Sequence, residues 1–217
     1  MLNISETKLA GLTLMLGPSL ASLLYIIFVA IPPILSSTSI DQMDWSVIAR
    51  EQSELDIWIR LPLLLVPVFL TFSVFGFSVL SETLEKLSHF YKAGMNFFVA
   101  NIIISAAAWG VTQSIVWLGA PGWPAAVVSA GMASYAGFLG SIGMLIIALS
   151  VSANRDSYNQ PLAYIVSAFM FLGILIQAVI LLDRTEYILS IANPLTGITY
   201  VVFSVWAITL GRKLYQQ

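Results

Sequence analysis

Cysteine is absent from the 217 residues, and charge nearly so: Asp, Glu, Lys and Arg together make up 9% of the chain, against roughly a quarter in a typical soluble domain. The first absence excludes a disulfide scaffold. The second, set beside 59% apolar residues, excludes an ordinary soluble domain, because too few polar side chains remain to cover its surface. The same apolar content excludes a disordered chain. Nine Lys and Arg at a net charge of −2 leave no basic footprint, so nucleic acid is excluded as a partner. Histidine occurs once, as His89. One His without Cys builds neither a zinc nor a haem site, so no cofactor is expected.

What the chain does have is long runs without charge. Residues 9–40, 61–81, 93–154, 157–182 and 187–211 contain no Asp, Glu, Lys or Arg. About 20 helical residues cross the hydrocarbon core of a bilayer, so four of these runs hold one span each and the longest holds two. In the middle of that longest run, Gly119-Ala120-Pro121-Gly122-Trp123-Pro124 is a turn signal that folds it into a helical hairpin. The expected fold is an all-α bundle of six transmembrane helices in a single domain over 1–217. Its spans are placed at 9–33, 61–81, 94–118, 125–150, 161–182 and 188–210. Continuous apolar runs favour helices over the short alternating segments of a barrel. The first run is too long for a signal-peptide core and lacks a cleavage pattern, so it reads as a retained anchor.

Orientation follows from the basic residues in the connections. Lys8, Lys86, Lys92, Arg155, Arg212 and Lys213 fall at one set of ends, and Arg50, Arg60 and Arg184 at the other. This bias places both termini in the cytoplasm. The absence of any soluble domain points to a bacterial cytoplasmic membrane. Trp45, Trp58 and Trp123 then lie at the outer boundary, where interfacial aromatics belong.

One connection is long enough to have structure. After Pro32-Pro33 and the polar run 36–39, Asp41-Gln42-Met43-Asp44 reads as a helix start. Trp45, Ile48, Leu55 and Ile59 follow on one face, interrupted by Gln52. The pattern predicts an extracytoplasmic amphipathic helix between spans one and two, lying on the surface and feeding span two. With Asp41, Asp44, Glu51, Glu54 and Asp56 it reads as a solvated interfacial helix, the functional alternative being a lid or a cation-attracting vestibule. On the other side, Ser81–His89 is expected to extend span two as a water-exposed helix with Glu82–Lys86 and Glu85–His89 pairs.

Inside the spans there is no charge. That excludes a retinal-type Schiff base, an intramembrane Asp dyad and a buried-carboxylate proton relay, while the single His excludes an HExxH metalloprotease. With no base in any span to activate a nucleophile, no enzyme is expected. Uncharged polar residues are organised, however. Asn101, Ser105 and Thr112 share a face of span three with Gln113 beside them, Gln177 stands in span five, and Asn193, Thr196, Tyr200 and Ser204 form a stripe on span six. Pro194 removes a helical hydrogen bond and frees the carbonyl of Ser190. Interhelical hydrogen bonding accounts for these residues most simply. The alternative is a polar cavity between spans three, five and six, lined by Asn101, Thr112, Gln113, Gln177, Asn193 and Tyr200.

Span four carries small residues every fourth position, Ala125, Ser129, Ala133, Gly137 and Ser141, of which Ser129, Ala133, Gly137 and Ser141 are expected to pack a neighbouring helix closely. Ala106, Ala107, Ala108 and Gly110 of span three are the expected partners. The functional expectation is therefore an accessory or scaffolding membrane protein, with a transporter or channel for a neutral or lipophilic solute as the alternative. Its partners would be membrane lipids and either another membrane protein or a second copy in a homodimer.

Overall fold

The computed structural model describes residues 5–30, 44–54, 57–84, 89–153 and 159–217, and every regular element among them is helical. The helices are α1 (Glu6–Tyr25), α2 (Trp45–Glu54), α3 (Ile57–Glu82), α4 (His89–Leu118), α5 (Trp123–Ser152), α6 (Gln160–Leu182) and α7 (Glu186–Tyr215). A wider π turn over Ile26–Ala30 continues α1. All but α2 are long and apolar enough to cross a membrane. Large apolar side chains such as Leu16, Ile103, Phe171 and Ile198 point outward from them. An outer surface of that kind is stable in lipid and not in water. The chain is a multi-pass membrane protein.

The helices run past the charge-free segments, α3 starting at Ile57 and α4 at His89. Charge marks the edge of the hydrocarbon, whereas a helix continues into the headgroup region. Residues 31–33, assigned to the first span, lie outside the described residues. Helix starts are capped by the short polar side chains that favour this role. Asn159 accepts from the Leu162 amide at 3.2 Å and Thr185 from that of Ile188 at 3.4 Å. Between α4 and α5, Gly119 takes φ +64° and its amide reaches the Ile115 carbonyl at 2.7 Å. This left-handed position ends α4 at little cost only because it is glycine. One 3-10 turn, Ala120–Gly122, and a proline near the start of α5 complete the expected hairpin.

Each span packs on its sequence neighbours, and α1 packs on α7, so the six close a ring. The contacts show alternating directions. On α4 and α5, Gly94 meets Gly143, Asn101 meets Gly140, and Ser129 Oγ donates to the Ala108 carbonyl at 2.9 Å. On α1 and α7, Gly11 meets Gly211, while Ser22 Oγ lies 2.7 Å from Ser204 Oγ and Ser204 donates to the Pro18 carbonyl at 3.0 Å. The beginning of α1 and the end of α7 therefore share one end of the bundle. That end is filled. Phe77, Phe98, Phe203 and Trp206 stack with centroids 5.9 to 6.3 Å apart, joined by Leu80, Tyr91, Met144, Ile147 and Leu210.

Two sequence expectations need correction here. The helix extension expected from Ser81 stops at once: α3 ends at Glu82, and the Thr83 and Leu84 amides turn back to the carbonyls of Leu80 and Ser81 at 3.0 and 3.4 Å. Residues 85–88, and the pairs assigned to them, lie outside the described residues, and His89 is an exposed residue at the start of α4. The small-residue stripe does not pack as one face either. Ser129 faces α4, Gly137 and Ser141 face Gln177 and Gly173 of α6, and Ala133 lines an interior space. A period of four residues drifts around a helix of 3.6 per turn, so the stripe crosses from one neighbour to the other. Of the expected alanine partners only Ala108 is buried, and Gly110 faces open space.

The helix expected between spans one and two is α2. Asp44 caps it, accepting from the Ser46 hydroxyl at 2.7 Å and from the Ser46 and Val47 amides at 2.9 and 3.4 Å; Asp41, Gln42 and Met43 lie outside the described residues. Those bonds, the Ser46 hydroxyl first, hold the Asp44 carboxyl below its ordinary range. The cap is therefore intact at and above the ordinary aspartate pKa and weakens only as pH falls through the lowered value. Asp44→Ala should raise amide hydrogen exchange across α2 while Asp44→Asn, which keeps an acceptor, should not. Equal exchange in the two variants would remove the cap from the account of α2.

Candidate functional site

The end of the ring opposite the aromatic plug is hollow. A cavity of about 280 Å³ lies there. It is lined from α1 by Tyr25, from α2 by Trp45 and Gln52, from α3 by Val66 and Leu70, and from α4 by Asn101, Ser105, Trp109 and Thr112. The far wall is Ser129, Ala133, Ser134 and Gly137 of α5, Gln177 and Ile180 of α6, and Asn193, Thr196 and Tyr200 of α7. A smaller space of about 30 Å³ under it shares Asn101, Gly137, Gln177 and Tyr200 and reaches Met144, Met170 and Phe203 at the plug. Among the described residues, no charged side chain lines either space.

Five of the six residues assigned to a polar cavity from sequence are brought together here: Asn101, Thr112, Gln177, Asn193 and Tyr200. Gln113 is not among the lining residues; one position on from Thr112, it is turned about 100° around α4. The cavity also draws on more helices than spans three, five and six: all six spans and α2 contribute to its lining.

Much of the polar lining is already paired. Thr112 donates to the Ala108 carbonyl at 3.0 Å and is hydrogen-bonded to Ser129. Ser105 donates to Asn101 Oδ1 at 3.3 Å, and Gln177 Nε2 to Thr196 Oγ1 at 3.5 Å. Two glycines make room for the longer amides: a Cβ at Gly140 would stand 2.8 Å from the Asn101 carboxamide, and one at Gly137 2.9 Å from that of Gln177. Tyr25 and Tyr200 meet edge to face, centroids 4.8 Å apart. Asn193 differs from the rest. It lines the cavity, half-buried, in the turn interrupted by Pro194, and has no hydrogen-bond partner among the described residues.

α2 covers the α4–α5 side of the hollow end. Ala49 is completely buried against Ile115 and Ala126, and Trp45 and Gln52 project into the cavity from the same side. Trp45, Ala49 and Gln52 stand at i, i+4 and i+7. The inward face is thus centred on Ala49, with Gln52 part of it rather than an interruption. Leu55 lies outside the described residues. Trp45 lines the cavity, whereas Trp58 and Trp123 are exposed at 75% and 49%.

Sequence reasoning also missed Arg184. It sits on the connection between α6 and α7, but its guanidinium turns inward. Nη1 donates to the Ala130 carbonyl at 3.0 Å and to Ser134 Oγ at 2.5 Å, and Cζ lies 5.9 Å from the Trp45 ring centroid. Its Nε is buried without a partner. Burial lowers its pKa, an effect partly opposed by Tyr25. A guanidinium stays charged despite this, and no carboxylate among the described residues pairs with it. Charge counting placed Arg184 in an outer loop because a loop's sequence does not record which way an arginine turns.

Comparison with protein-family models, curated proteins and solved structures gives no match for this chain.

Proposed function

We propose that this protein binds a small neutral solute in the cavity among its six spans and carries it across, or delivers it within, a bacterial cytoplasmic membrane, both termini lying on the cytoplasmic side. The observation that carries the reading is the cavity itself, lined by uncharged hydrogen-bonding groups and aromatic rings. A structural bundle gains nothing from such a hollow, since membrane helices associate through close packing and small residues. Here glycines are used to seat Asn101 and Gln177 at the edge of the space.

Size limits the solute. A cavity of roughly 150 Å³ takes one benzene ring, so about 280 Å³ suits a ring with substituents, roughly a dozen non-hydrogen atoms. Asn193 offers a donor and an acceptor, and the Trp109 indole a donor. Tyr25, Trp45 and Tyr200 offer ring faces and edges. No residue pair in the lining has the geometry of a nucleophile with its base, so the reading is of binding and passage rather than catalysis.

Native mass spectrometry from native nanodiscs tests this. The expected spectrum holds an adduct of the size of one substituted ring, absent from Asn193→Leu at equal expression. Occupancy in the variant should fall at least tenfold, about 1.4 kcal/mol. A stoichiometric protein partner with no small adduct would replace this reading with an accessory role. An adduct equally occupied in the variant would take Asn193 out of the site.

A further inference from the structure

At the α2 end of the cavity one fixed positive charge meets a neutral lining. Arg184 touches three cavity residues, donating to Ala130 and Ser134 of α5 and lying against Trp45 of α2. These contacts hold the guanidinium at the rim, between α2 and α5. Among the described residues, no charged group lines the space to offset it. Of the acidic residues that gave α2 the look of a cation-attracting vestibule, the described ones do not line the cavity. Asp44 and Glu54 are exposed, as is Asp183 beside Arg184, while Asp41 and Asp56 lie outside the described residues. A charge in water is screened within about 8 Å at physiological salt, whereas one held against low-dielectric walls is screened much less.

We propose that Arg184 is the charge filter of this cavity, admitting uncharged and anionic solutes and rejecting cations. The inference rests on the reading of the cavity as a solute site and goes beyond it by naming the residue that sets the charge class. The physical device is the one by which an arginine at a pore constriction excludes cations. A cation entering past Trp45 would approach a guanidinium that no carboxylate among the described residues pairs with, and would find none further in along the described lining. Hydrogen bonds to a main-chain carbonyl and a hydroxyl fix the filter in place without neutralising it.

Benzamide, benzamidinium and benzoate test the proposal, being nearly isosteric rings that differ in charge. Binding to the protein in nanodiscs is followed by saturation-transfer NMR, with protein-free nanodiscs subtracted. Benzamide and benzoate should bind the wild type at least about tenfold more tightly than benzamidinium. In Arg184→Gln the gap between benzamide and benzamidinium should close to about twofold, and in Arg184→Lys it should remain. Glu54→Gln, on the exposed side of α2, should leave the gap unchanged. Wild-type protein that takes benzamidinium as well as benzamide overturns the filter, as does an unchanged gap in Arg184→Gln or one removed by Glu54→Gln. Where Arg184→Gln does not fold, the wild-type order decides, and benzamidinium tighter than benzoate overturns the proposal. Failure of all three probes to bind the wild type removes the solute-site reading itself, an outcome distinct from binding without discrimination.

Discussion

Phenylalanine in place of Ala133 should abolish solute binding while leaving the bundle folded. Ala133 lines the cavity and is exposed within the ring wall, so a larger side chain there grows into empty space, not into a neighbour. A phenyl ring takes up roughly the 150 Å³ that a cavity devotes to benzene, which is about half of the 280 Å³ present. What is left no longer accepts a substituted ring. The expected loss is at least about a hundredfold in affinity, or about 2.7 kcal/mol. The melting temperature should hold or rise slightly, because filling a void adds dispersion contacts. Ala133→Ser, which adds a hydroxyl but little volume, should bind within about threefold of wild type. The measurement is benzamide titration of both variants in nanodiscs beside their thermal melts. Full binding in Ala133→Phe would mean that the solute sits elsewhere, and the proposed site would be withdrawn.

Leucine at Gly143 should have the opposite profile, a loss of folding with the cavity untouched. Here α4 and α5 approach backbone to backbone: an ideal Cβ on Gly143 would lie 2.7 Å from the Phe98 nitrogen and 2.8 Å from the Gly94 carbonyl oxygen. Main-chain atoms of a packed helix cannot swing aside as a side-chain end can, so α4 must move away from α5 along its length. In lipid this is severe, since close van der Waals contact is most of what holds two spans together. The expected cost is about 3 kcal/mol or more, a fall of roughly 6–12 °C in melting temperature at this chain length. Gly131 and Gly110 supply the comparison. A Cβ at either meets nothing within 4 Å, so alanine there should be neutral or stabilise by up to about 1 kcal/mol through helix propensity. Thermal melts in one detergent decide it. Gly143→Leu melting within about 2 °C of wild type would mean that the α4–α5 contact is not set by backbone approach.

Both expectations concern span four, and the sequence treated its small residues alike. Ala133, Gly137 and Gly143 differ only in what stands opposite them: open space, a glutamine side chain and a backbone. A single sequence records that a residue is small, not whether the room it leaves is used by a helix, by a side chain or by a solute. The candidate site was legible to the same degree. Asn101, Thr112, Gln177, Asn193 and Tyr200 stood out as polar groups in apolar runs, which is a local property. Tyr25, Trp45, Trp109 and Arg184 did not, because aromatics belong in any membrane helix and a loop arginine is ordinary until its direction is known. Gln52 was visible as the one polar break in an apolar face, and it lines the cavity beside Trp45.

The sequence by itself determined the solvent and the number of spans. Those follow from the cost of placing charge in hydrocarbon and from the length of helix needed to cross it, and both are read along the chain one residue at a time. It also determined the hairpin, because Gly119 is the residue that adopts a left-handed turn without strain. Tertiary structure alone decided that α1 closes on α7, that one end of the ring is plugged by Phe77, Phe98, Phe203 and Trp206, and that the other end is hollow under α2 with Arg184 at its rim. In lipid every outward face is equally content with apolar side chains, so the hydrophobic pattern that orients a helix in water carries no such instruction. Which way each helix turns is left to contacts among residues far apart in the chain.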